Sequence, residues 1–91
     1  MEPEELLEAL ADLAAEAGLS VRVLRRGAGS DDLTTASSGV CRVRGEIWVV
    51  LAQADPVEER IEALARALRE HAESLLEQRY LPPAVRARLG I

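Results

Sequence analysis

Val40-Cys41-Arg42-Val43 and Ile47-Trp48-Val49-Val50-Leu51-Ala52, with Arg44-Gly45-Glu46 between them, are the stretch on which the fold turns. Both arms are rich in β-branched and aromatic residues, and Gly45 supplies the positive φ that a tight turn needs. The pattern predicts a β-hairpin. In the first arm, period-two alternation sets Cys41 and Val43 on one face and Arg42 and Arg44 on the other. The second arm is apolar on both faces: Trp48, Val50 and Ala52 alternate with Ile47, Val49 and Leu51. A strand of that kind is covered on both sides, so it belongs at the centre of its sheet.

Outward from the hairpin, Asp55-Pro56-Val57-Glu58 reads as a helix start, with Asp55 as cap, Pro56 in the first turn and Glu58 completing a capping box. Val57, Ile61, Leu64, Leu68, Ala72 and Leu75 then form the apolar stripe of a long helix reaching about Gln78. Glu62/Arg66, Arg66/Glu70 and Arg69/Glu73 are opposite-charge neighbours on its wet face. Tyr80-Leu81-Pro82-Pro83 breaks the pattern, Tyr80 is expected to pin the turn, and Pro83 opens a short terminal helix through Leu89. Toward the N-terminus, Glu2-Pro3-Glu4-Glu5 starts an amphipathic helix carrying Leu6, Leu7, Leu10, Leu13, Ala14 and Ala17, and Gly18 stops it. Leu19 to Arg25 has the partial alternation of a half-buried strand. Arg26 to Gly39 is a long polar connection containing Gly27, Gly29, Ser30, Asp31 and Asp32.

The expected class is therefore α+β, in the order α-β-β-β-α-α. A three-stranded, largely antiparallel sheet carries two main helices and a short C-terminal helix. The 91 residues are read as a single domain. Such a chain buries only about 60–65% of its unfolded surface. With one Trp, one Tyr and no Phe, its thin core falls to Leu, Val, Ile and Ala. If both helices pack on one sheet face, the other face still needs cover, and a second copy is the simplest cover for so small a protein.

Charge and composition exclude several functions. The net charge of −5 argues against general binding of nucleic acid or anionic membrane. The run from Ile47 to Ala54 falls far short of the roughly 20 apolar residues that span a bilayer. Met1-Glu2-Pro3-Glu4-Glu5 is acidic where a leader would be basic, so a cytoplasmic location is expected. One Cys makes no internal disulfide and no four-thiolate metal site. All 11 cations are Arg.

The region Glu58 to Glu70, following the hairpin, resembles the active helix of the ImmA/IrrE-type zinc peptidases, whose core has a similar order of elements. That resemblance implies a peptidase-like fold. At the positions of the family's His-Glu-x-x-His motif, however, stand Arg66, Ala67 and Glu70, with His71 one place beyond, so zinc hydrolysis does not carry over. Ser38-Gly39-Val40-Cys41-Arg42-Val43-Arg44-Gly45-Glu46 and Tyr80-Leu81-Pro82-Pro83-Ala84-Val85-Arg86 are similar to a family of small uncharacterised bacterial proteins of this length, which implies no activity.

Each candidate chemical group has an ordinary alternative. Cys41 would need His71 within hydrogen-bond reach to act as a nucleophile, and a packed, inert thiol is the expected state. His71 lacks the convergent ligands of a metal site and is expected exposed on its helix. Asp31 and Asp32 are ordinary turn residues, and Gly27-Ala28-Gly29-Ser30 lacks the Lys of a phosphate loop. Arg42 and Arg44, with Arg22 and Arg25, could form a small anion-binding patch. No cofactor, metal or catalytic set is expected. The leading expectation is a non-catalytic interaction or scaffold domain, a homodimer joined through Trp48, Val50 and parts of the long helix. The alternatives are a redox protein or enzyme using Cys41, and an anion binder using Arg42 and Arg44.

Overall fold

The computed structural model describes residues 1–24 and 38–91. Its elements are α1 (Pro3–Glu16), β1 (Ser20–Leu24), β2 (Gly39–Val43), β3 (Glu46–Ala52), α2 (Val57–His71), α3 (Glu73–Gln78) and α4 (Pro83–Leu89). The three strands form one sheet in the order β1-β3-β2, so the doubly apolar strand is central, and the class is α+β. β2 pairs with β3 antiparallel, from Gly39 opposite Val50 to Val43 opposite Glu46. β1 pairs with β3 parallel, from Ser20 opposite Trp48 to Leu24 opposite Ala52, which makes the sheet mixed. Strand direction leaves no mark on residue alternation, and the parallel pairing is for that reason invisible in the sequence.

The hairpin turn has Arg44 at φ 50° and Gly45 at φ 84°. Two successive positive φ values define the tight hairpin turn whose twist matches the strands. Gly45 adopts its angle freely, while Arg44 holds a conformation that costs a residue with a Cβ.

α1 and α2 pack on each other and on one face of the sheet. Leu10, Leu13 and Ala14 from α1 meet Ile61, Leu64, Ala65 and Leu68 from α2, over Val49 and Leu51 of β3. Val21 and Val40, which flank Val49 in register, pack against the same core. The stripe at positions 61, 64, 65 and 68 follows the helical period, and every member is fully buried.

Three local expectations change. The long helix pauses at Ala72 (φ −134°) before α3 begins. No Gly or Pro marks that place, and the bend serves packing, since it carries both Ala72 and Leu76 into the core. The same bend removes Arg69 from Glu73: Arg69 pairs with Glu62 at 2.9 Å, and Arg88 of α4 reaches Glu58 at 2.9 Å. Finally, Tyr80 is 85% exposed and Leu81 at 3% does the packing, so Tyr80 does not pin the turn. α4 ends as a glycine-capped helix, with Gly90 at φ 78° and the Ile91 N–H donating to the Arg86 carbonyl at 3.1 Å.

Candidate functional site

The register divides the β3 side chains into two sets. Val49 and Leu51 enter the core beneath the helices, whereas Trp48 and Val50 are half-buried on the opposite face, where no described helix packs. Trp48 lies between Ser20 of β1 and Cys41 of β2, and Val50 between Arg22 and Gly39. The Arg22 guanidinium sits 4.5 Å from the centroid of the Trp48 ring, a cation–π contact. From the other side the Trp48 Nε1–H donates a long hydrogen bond to Glu46 Oε2 at 3.4 Å. A cation, an aromatic ring and an acid thus run along the face in that order, with Val43 and Leu24 half-buried at its margins. Parts of the long helix do not belong to this surface, because α2 lies on the other side of the sheet.

Cys41 is exposed, contrary to the packed thiol expected from its residue type. It occupies an edge strand and shares the Trp48 face, where no described helix packs. His71 is exposed at the last position of α2, as expected for a surface helix residue. Cys41 and His71 line one shallow cleft between β2 and α2, but no hydrogen bond joins them, and the nucleophile–base pair is not assembled.

The arginine patch is also divided. Arg22 shares the Trp48 face and Arg42, opposite Ile47, lies on the helix side, while Arg44 belongs to the turn. Arg42 lines the same cleft as Arg66, Glu70 and His71 of α2. Arg66 is a cleft residue that the sequence pattern does not connect with Arg42, because only the tertiary fold places residues 42 and 66 on one cleft. Of the three positions aligned with the peptidase motif, Ala67 is fully buried, and Arg66 and Glu70 pair loosely at 3.9 Å on the surface. Among the described residues, no group of three or more His, Cys, Asp or Glu side chains could hold a metal ion. Asp31, Asp32, Arg25 and the Gly27–Ser30 segment lie outside the described residues.

Asp55 does not cap α2; Pro56 holds that position and makes no side-chain hydrogen bond. Instead the Ser38 backbone N–H donates to Asp55 Oδ2 at 2.8 Å, and the Ser38 hydroxyl oxygen accepts from the Ala52 N–H at 2.9 Å. Asp55 thereby ties the start of β2 to the end of β3. The Ser38 backbone N–H, then the Ser38 hydroxyl and the Arg60 charge, hold its carboxyl below the ordinary 3.8. A lowered pKa in the folded state stabilises the fold above the unfolded value, and that contribution disappears as pH falls through the folded value. Asp55→Asn should therefore be less stable than wild type at pH 6, with the gap between the two urea midpoints closing as pH falls below the ordinary 3.8 and through the lower folded value. Parallel midpoint curves from pH 6 to pH 2.5 would contradict the tie.

No helix among the described residues is long and apolar enough to cross a membrane. No family model, curated protein or solved structure matches the chain.

Proposed function

We propose that this protein is a non-catalytic interaction domain that works as a homodimer, two copies joining through the Trp48 face of the sheet. The observation that carries this reading is the central strand, whose Trp48 and Val50 stand half-buried on a face where no described helix packs. A sheet face meant for water alternates to polar residues at such positions, and this one does not. Exposed apolar faces rimmed by polar groups are a mark of association surfaces, and Trp is enriched at the centres of such surfaces.

The second copy fits the pattern of charge. Arg22 lies level with residue 50 of β3 and Glu46 lies at its start, so the two charges flank the level of Trp48 on either side. A two-fold axis in the plane of the sheet, crossing the strands at Trp48, reverses direction along them. It brings Arg22 of each copy to the level of Glu46 of the other, one strand to the side and within the reach of its long side chain, and stacks the two Trp48 side chains near the axis, a self-complementary arrangement. The same placement brings both Cys41 side chains toward the axis.

Charge reversal tests this arrangement. Arg22→Glu and Glu46→Arg should each weaken dimerisation by roughly tenfold or more through like-charge contacts, and the double variant should recover most of the loss. Gel filtration with light scattering across a concentration series reads the result. Singles and double that dissociate alike, or singles that match wild type, would reject the two-fold geometry.

A further inference from the structure

We propose that the cleft between β2 and α2 binds a small anion of the phosphate or carboxylate class, gripped between Arg42 and Arg66. The cleft has a volume of about 290 Å³, with Val40, Arg42 and Ile47 on the strand side and Arg66, Glu70 and His71 on the helix side. It lies on the helix side of the sheet, and its occupancy is independent of the dimer proposed above.

The chain has 16 acidic residues for 11 arginines, and the described arginines divide between those that reach an acid and those, Arg22, Arg42, Arg44, Arg60 and Arg86, that form no ion pair among the described residues. Arg69, Arg79 and Arg88 each reach a glutamate at 2.9 Å. Arg42 has no ion-pair or hydrogen-bond partner among the described residues. Arg66 touches Glu70 through Nε alone at 3.9 Å, between two largely exposed side chains. Its terminal nitrogens remain available. Two guanidinium groups facing one cleft repel each other, and an anion between them replaces that repulsion with charge-assisted hydrogen bonds from both. The apolar side chains of Val40 and Ile47 form part of the wall and reduce the screening that water provides. Glu70 competes for the same arginine, which predicts that removing its charge improves binding.

The single His in the chain lines this cleft and reports on it directly. Sodium phosphate and sodium acetate would be titrated into the folded protein at fixed pH and ionic strength, with chloride as the balancing anion. The His71 ring resonances are followed by NMR. A saturable shift with one or both anions is expected, phosphate alone indicating a phosphate site and both indicating a general oxyanion site. Arg42→Ala and Arg66→Ala should each weaken the affinity roughly tenfold, as expected for loss of a charge-assisted contact, and Glu70→Gln should tighten it. All three positions are on the surface, and unchanged circular dichroism confirms that the variants fold. A shift that grows linearly without saturating, or one that survives both arginine substitutions, would overturn the proposal.

Discussion

Leu68→Ala is expected to cost about 3 kcal/mol, within the range of 2–5 for deleting a buried leucine from a packed core. Leu68 is fully buried, midway along the face of α2 that covers the sheet and meets α1 and α4. The side chains around it are themselves fully buried, among them Leu64, Ala65 and Ile61 one and two turns back. With so few large residues in the core, little can move into the vacated space, and most of the cavity persists. A chain of 91 residues has a total stability of roughly 5–10 kcal/mol, so the loss is a large share of it. In urea the midpoint should fall by about 2 M if the slope is near 1.5 kcal/mol/M. Tyr80→Ala, at a position 85% exposed, is the matched control and should stay within about 0.5 kcal/mol of wild type. A Leu68→Ala loss below about 1 kcal/mol would mean that α2 is not seated on the sheet as described.

Trp48→Glu should leave the fold intact and abolish the dimer. The ring stands on the sheet face where no described helix packs, outside the cluster formed by Val49, Leu51 and the helices, so its removal opens no cavity in the core. The lost contact with Arg22 is worth roughly 0.5–1 kcal/mol at such a site, and the new carboxylate can pair with the same guanidinium. Across the two-fold axis the effect is different in kind. Two carboxylates would face each other at the centre of the interface, where truncation of a Trp alone commonly costs about 2 kcal/mol or more. The dissociation constant should rise at least ~30-fold by the usual conversion. Because the chain has one Trp, its emission offers a second readout. The wild-type spectrum should shift to the red on dilution as Trp48 is returned to water. Constant emission across a thousandfold dilution, with unchanged mass, would place Trp48 outside any interface.

The legible part of this molecule is the part governed by periodicity. The stripe Ile61, Leu64, Leu68 appears in the sequence as a helix face and in the structure as the floor of the core. The doubly apolar run Trp48 to Ala52 announces a central strand, and β3 occupies that place. Gly18, Gly45 and Gly90 lie at positive φ at the two helix ends and in the hairpin. What stays hidden depends on tertiary placement. The parallel pairing of β1, the pause at Ala72 and the exposure of Cys41 leave no local trace, since alanine favours helix and cysteine favours burial. Asp55 misleads for a related reason: its spacing to Glu58 fits a cap, but the Ser38 N–H, 17 residues away, wins the carboxylate. The site shows the same division. Trp48 and Val50 are readable as a pair on one face, while the meeting of Arg42 with Arg66 follows from packing β2 beside α2, and sequence spacing supplies no sign of it.

Sedimentation equilibrium on the untagged wild-type protein, from low micromolar to several hundred micromolar, tests the central claim most directly. The account predicts a reversible approach to twice the chain mass of 9.9 kDa as concentration rises, fitted by one monomer–dimer equilibrium. A single species at the chain mass over the whole range would contradict it, and would leave the Trp48 face with some other partner or with none.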